Sequence, residues 1–208
     1  RVLFNEVFYG GNANGDGGGI FIGGETPAGG GLTPGSGSAW ILSNRIQGNS
    51  TGSGWGGGIR LLNVNGQDVA GSPDNPAGWY EIRIFNNMIV NNLAAYAGGG
   101  IALQDAARVK IINNTLTAND STATSINAMA GGFNPSTPQP AGLVSSVHSP
   151  ALMAALGTGA GPEFSDFSNP ILINTIIYAN RSFYYDPSFN SGWGGVIQNP
   201  AQPIWDMA

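Results

Sequence analysis

Side chains able to do acid–base chemistry are scarce in this sequence: seven Lys and Arg, twelve Asp and Glu, one His and no Cys. The densest group is Glu81, Arg83, Arg108 and Lys110, a carboxylate among three cations. These four could line a substrate site, but a solvated surface cluster is the plainer reading. Hydrolysis of a glycosidic bond needs two carboxylates flanking it, and no such pair stands out by spacing. His148 is the single histidine. It cannot build a His-based metal site, lacks orienting partners nearby, and reads as a loop residue. Asp105 and Asp120 read as isolated acids in bends. No catalytic residue, metal site or cofactor is therefore expected.

Gly15-Asp16-Gly17-Gly18-Gly19 is faintly similar to calcium-binding glycine–aspartate repeats. Those need the Asp to recur to build an oxygen cage, and the later copies carry Ser53-Gly54-Trp55 and Ala95-Tyr96-Ala97 instead. A structural turn is preferred. The aromatics are more suggestive. Trp55 and Trp193 directly precede glycine runs, Tyr96 stands one residue further back, and Trp40, Trp79 and Tyr80 precede apolar strands. Exposed aromatics stack on sugar rings, which makes Trp55, Tyr96, Trp193, Trp40 and Trp79 candidate glycan-binding residues. The competing reading is that they close the ends of an apolar core. Asn49, Asn113, Asn119 and Asn180 open N-x-S/T triplets, explained by the repeat described next.

Composition bounds what must position these residues. Only 9% of the chain is charged, Gly numbers 34 of 208, yet 41% is hydrophobic and net charge is −5. Disorder combines low hydrophobicity with high charge, so a folded chain follows, polar through Asn, Ser, Thr and Gly. No apolar run is long enough for a membrane span, and seven scattered basic residues argue against nucleic-acid binding. The first residues have neither an initiator Met nor a signal-peptide pattern and begin inside a repeat, which reads as part of a longer protein.

The repeat has two registers. Gly-Gly-Gly-Ile ends at Ile20, Ile59 and Ile101, with weaker copies at Gly131-Gly132-Phe133 and Gly194-Gly195-Val196. Upstream, segments starting at Leu3, Ile41, Ile84, Ile111 and Leu172 align without gaps: apolar first, Asn or Ser third (Asn5, Ser43, Asn86, Asn113, Asn174), apolar sixth. Gly11, Asn49, Asn92, Asn119 or Asn180 follows three residues later. Alternation of Ile82, Ile84 and Asn86 signals a strand. The odd step after the Asn signals a bend, with a left-handed residue expected at Asn87 or Asn114. Three short strands per coil then predict a ladder of Phe8, Ile46, Ile89, Leu116 and Ile177, and a second of Asn5, Ser43, Asn86, Asn113 and Asn174. Coils repeat about every 4.8 Å, and the crossover rule makes them right-handed.

These repeats resemble the right-handed parallel β-helix repeats of bacterial surface and secreted proteins, whose units often read N-x-x-I-x-x-N followed by GGGI. Polymorphic outer-membrane-type repeats, autotransporter passengers and pectate-lyase-like enzymes share that architecture. The resemblance covers 1–120 and 170–198 and implies fold more than function. It also implies that lyases of this fold place acids for calcium and an Arg or Lys base on the outward face of the glycine-led strand. The matching positions here are Phe21, Arg60, Ala102, Asn134 and Ile197, of which only Arg60 is ionisable. Glu81 and Arg108 fall at equivalent places in adjacent coils, as do Arg83 and Lys110. An exposed Glu81–Arg108 pair is expected to contribute about 0.2–1 kcal/mol.

The expected fold is all-β: a right-handed parallel β-helix of about five coils over 1–198, with long loops gathered on one side. An insertion at 121–169 carries a short helix near 150–156, capped by Ser149, and 199–208 forms a tail or cap. The expected role is a non-catalytic extracellular or cell-surface structural and adhesive module, with surface glycans or copies of itself as partners. A carbohydrate-active enzyme or a glycan-binding module is the alternative.

Overall fold

The computed structural model describes residues 1–129, 131 and 134–208. Its strands are two to four residues long up to Ser145, and the chain revisits the same sheets in the same order on every pass. Sheet A stacks Val2–Leu3, Ala39–Leu42, Ile82–Phe85, Val109–Ile112 and Ile171–Ile173. Sheet B stacks Glu6–Phe8, Arg45–Gln47, Met88–Val90, Thr115–Thr117 and Ile176–Tyr178. Sheet C begins with Gly11–Asn12, Ser50–Thr51, Leu93–Ala94 and Asp120–Ser121. Sheet D stacks Ile20–Gly23, Ile59–Leu62, Ile101–Gln104 and Leu143–Ser145. The pairing between successive passes is parallel, so the chain is an all-β solenoid of stacked parallel sheets. Passes through all four sheets carry four strands, one more than the period suggests. The extra one is the two-residue strand of sheet C, too short to show alternation.

The core follows from that register. Ile41, Ile84 and Ile111 stack from sheet A, Ile46, Ile89 and Leu116 from sheet B, and Ile59, Leu61, Ile101 and Leu103 from sheet D, all fully buried. In the first pass the pairing is one residue off the gap-free alignment: Val7, not Phe8, lies beside Ile46, and Gly10, not Gly11, takes the place level with Asn49. Phe8 therefore faces outward. Asn5 is thus level with Asn44, to whose Oδ1 it donates, and not with Ser43 as the repeat alignment predicts.

The roles of the paired asparagines are also the reverse of the expectation. Ser43, Asn86, Asn113 and Asn174 carry the positive φ values, 57°, 57°, 56° and 47°. Passing through a left-handed residue flips side-chain parity, so the next residue turns inward. Asn44, Asn87 and Asn114 are therefore the buried rungs. Asn87 Nδ2 donates to Ile41 O at 2.9 Å and Asn114 Oδ1 at 3.0 Å, while its Oδ1 accepts from Asn44 N and Nδ2, both at 2.9 Å. A second ladder runs through Asn49, Asn92, Asn119 and Asn180 and ends on Asp206, whose Oδ1 accepts from Asn180 N and Nδ2. Asp206 has no amide to pass on, so this ladder stops there. Three of the N-x-S/T asparagines, Asn49, Asn119 and Asn180, are thus buried rungs.

Two glycine-led copies are corrected. The fourth strand of sheet D is Leu143–Ser145, with Leu143 beside Ile101. The copy proposed at 131–133 is not that strand, and Gly132 and Phe133 lie outside the described residues. Gly195–Gln198 pairs antiparallel with Arg181–Asp186, forming a hairpin rather than another pass. Consequently Val144, not Asn134, stands beside Ala102, and Ile197 is not on sheet D. The stretch 121–169 is likewise not a plain insertion, since it supplies strands to two sheets.

Long connections run from Ser121 to Leu143, between sheets C and D, and at three of the four crossings from sheet D to sheet A, the exception being Gln104 to Val109. Gln67–Gly71 and Pro150–Ala155 form short helices in the long crossings from sheet D to sheet A, the second capped by Ser149 Oγ, which accepts from Leu152 N at 3.2 Å. Val69, Trp79, Ala107, Leu152 and Ala160 pack between them as a small second core. The tail crosses the end of sheet D: Trp205 O accepts from Ala141 N, and Met207 bridges Leu143. No described helix is long and apolar enough to cross a membrane.

Candidate functional site

A cleft of about 770 Å³ opens where the glycine turns enter sheet D. Its wall is the outward face of sheet D, where Phe21 and Arg60 are register partners, as are Leu62 and Gln104. Its rim comes from the turns before that sheet, through Asn12, Asn14, Asp16, Ser53 and Trp55, with Asn127 alongside. Positive φ at Gly17, Gly56 and Gly98 lets the turn tighten here without a side chain.

Arg60 is the centre of the cleft. Its Nε donates to Asp16 Oδ2 at 3.0 Å and its Nη2 to Gln104 Oε1 at 2.9 Å. The guanidinium lies 5.3 Å from the Trp55 ring, and Trp55 meets Tyr96 edge-on at 4.4 Å. The side chain is only 1% exposed. Burial lowers its pKa, and the charge and hydrogen bond of Asp16 oppose that shift. Nη1 is buried and has no hydrogen-bond partner among the described residues. Leaving such a donor unmet costs about 1–3 kcal/mol.

Asp16 also accepts from Trp55 N at 2.8 Å through Oδ1. The glycine turn and the arginine, read separately in the sequence, are thus one assembly. Superposing the two GGGI runs puts Asp16 on Trp55, a signal available without coordinates.

The five candidate aromatics do not form one row. Trp55 and Tyr96 stand together, half-buried against Ala97, Ala102 and Val144. Trp79 is buried in the second core, donating Nε1–H to Ser72 O at 2.8 Å and meeting Phe164 edge-on, so it cannot stack on a ligand. Trp40 is half-buried on sheet A, with Arg1 4.4 Å and Arg83 5.0 Å from its ring. Trp193 is 85% exposed at the turn of the hairpin, apart from the cleft.

Glu81 is buried rather than forming an exposed pair, and it holds three cations. Lys110 Nζ lies 2.8 Å away, Arg83 Nη2 3.1 Å and Arg108 Nη2 3.4 Å. Burial alone would raise this carboxyl, but hydrogen bonds from Arg83 and Lys110 and the charge of Arg108 outweigh it and lower it to about 2. A carboxyl depressed in the folded state stabilises above its unfolded pKa, and that contribution is lost as pH falls through the folded value. With an ordinary value near 4.5, the contribution is about 3 kcal/mol at neutral pH. We therefore expect Glu81→Gln to be less stable by about that amount at pH 6. Urea unfolding should show the gap closing between pH 5 and pH 2, and a gap independent of pH would contradict the assignment.

Two other acids are engaged. Asp105, in a left-handed bend (φ 50°), accepts from Ser149 N at 2.7 Å and lies 3.4 Å from His148 Nδ1. His148 is a loop residue, as its sequence context suggests, and it is buried. Burial would raise the Asp105 carboxyl, and His148 close by together with the hydrogen bond from Ser149 N hold it below its usual value. Asp120 pairs with Arg181 at 2.6 Å across adjacent passes. Among the described residues no group of three or more acids, His or Cys is placed to hold a metal. Compared with protein-family models, with curated proteins and with solved structures, the chain matches none.

Proposed function

We propose that this chain is a non-catalytic extracellular or cell-surface module, structural and adhesive, that holds a glycan in the Arg60 cleft. The observation that carries the reading is Arg60 itself. Asp16 and Gln104 fix its buried guanidinium beside the Trp55 ring, so it braces the floor of the cleft and the Trp55 ring above it. Asn12, Asn14, Ser53 and Asn127 add amide and hydroxyl groups suited to sugar hydroxyls, and half-exposed Phe21 offers an apolar ring. The extracellular placement rests on the sparse charge and the Gly- and Asn-rich composition alone.

The finer architecture belongs to the same proposal: a right-handed, pectate-lyase-like β-helix of about five coils, its hand taken from the crossover rule. Self-association would use the first pass, whose core residues Val2, Val7 and Ile22 are only half-buried. Unpaired strand edges are templates for further pairing.

Binding to a panel of neutral and acidic polysaccharides tests the reading. Trp55→Ala is expected to weaken binding about tenfold, a loss near 1.4 kcal/mol. Phe21→Ala, at an exposed position, should weaken it without disturbing the fold. Release of unsaturated oligosaccharides from an acidic polysaccharide with calcium would overturn the non-catalytic part. A chain that sediments as a monomer and binds no glycan would overturn the adhesive part.

A further inference from the structure

Sheet A carries a row of cations unrelated to the Arg60 cleft. Its outward positions Trp40, Arg83, Lys110 and Ile171 are register partners on successive passes, and Arg1 lies over Trp40. Arg108 joins from the adjacent outward position through Glu81. Four of the seven basic residues thus share one face of a chain whose net charge is −5. The acids beside them are Glu81 and, at the edge, the exposed Glu163.

The cations are also held in place. Glu81 takes Arg83 through Nε and Nη2, and Arg108 Nη1 donates to Ala77 O and Trp79 O. The side chains of Arg83, Arg108 and Lys110 remain 27–36% exposed, each with donors unspent. One carboxylate thus aligns three cations while cancelling the charge of one. Beside them lies a depression of about 440 Å³ lined by Arg108, Lys110, Phe164, Pro170 and Ile171.

We propose that this face is a second binding site, for the oxyanions of a linear acidic polysaccharide running along the solenoid axis. Register places Arg83 and Lys110 one pass apart, about 4.8 Å, and Arg1 two passes from Arg83 with Trp40 between them, so the charges are spread along the axis rather than focused on one point. That geometry suits widely spaced carboxylates or sulfates on a stiff chain. Duplex DNA, with one charge per about 1.7 Å, meets too few cations here and too much negative charge elsewhere.

Affinity electrophoresis of the folded chain in gels containing polygalacturonate, dextran sulfate or neutral dextran tests this, with duplex DNA and anionic vesicles as competitors. The two acidic polymers distinguish carboxylate from sulfate recognition. We expect retardation by at least one acidic polymer, none by dextran, and release at high salt. Arg1→Gln and Lys110→Gln should each weaken binding about two- to fivefold. Arg1 is exposed on the first pass and lies over the Trp40 ring, so its variant stays informative should Lys110→Gln unfold. Trp55→Ala and Phe21→Ala should leave this binding unchanged, which separates it from the Arg60 cleft. No retardation at low salt, retention equal in the Arg1 variant, equal binding of dextran, or stronger competition by DNA or vesicles would each overturn the proposal.

Discussion

Asn92→Leu is expected to lower the unfolding free energy by about 4 kcal/mol, measured by urea titration. Asn92 is almost wholly buried and makes bonds in both directions along its ladder. Its Nδ2 donates to Ile46 O at 3.0 Å and Asn119 Oδ1 at 2.9 Å, and its Oδ1 accepts from Asn49 N at 3.0 Å and Nδ2 at 2.9 Å. Leucine fills a similar volume but removes all four side-chain bonds. Asn49 N is then left unpaired in the core, at about 1–3 kcal/mol, and Ile46 O, Asn49 Nδ2 and Asn119 Oδ1 each lose a partner besides. The ladder's position decides the size of the effect. Thr175, where the other ladder ends, is half-buried and accepts from Asn114 N at only 3.4 Å. Thr175→Val should therefore cost about 1 kcal/mol. Equal losses at the two positions would show that the ladder is not carrying the load assigned to its interior.

Gly99→Ala is expected to cost at least about 3 kcal/mol, and Gly99→Val to prevent folding. A Cβ on Gly99 would lie 2.7 Å from Asp120 N and closer still to Asp120 O, both backbone atoms of the next pass. Backbone cannot swing aside as a flexible side chain can, and Asp120 is itself held by its bond to Asn92 O. Gly71, at the end of the helix Gln67–Gly71, is the control, because nothing lies within 4 Å of its added Cβ. Gly71→Ala should be neutral or stabilise by up to about 1 kcal/mol. Circular dichroism melts of both variants check the pair. A Gly99→Ala protein with native stability would mean that adjacent passes can separate, contrary to the packing described above.

Parts of the candidate sites were legible before any coordinates. Arg60 stood out as the ionisable residue on the outward face of a glycine-led strand, and Glu81, Arg83, Arg108 and Lys110 stood out as a cluster. What could not be read was depth. Glu81 is buried because three cations from two passes close over it, and the expectation had counted one exposed pair. Trp79 reads like Trp40 in the sequence, yet the loop helices cover one and leave the other half-open.

The repeat, the parallel stacking and the asparagine bends were determined by the sequence alone, because each pass carries the same local pattern of apolar spacing, Asn and Gly. Tertiary structure decided which asparagine of each pair is buried, since that depends on parity after a left-handed residue such as Asn86. It also decided that Val7 rather than Phe8 enters the core and that Leu143–Ser145 completes sheet D. In both cases several local registers fit the pattern equally well. Only pairing with the neighbouring pass, which satisfies the buried backbone and amide groups together, selects one of them.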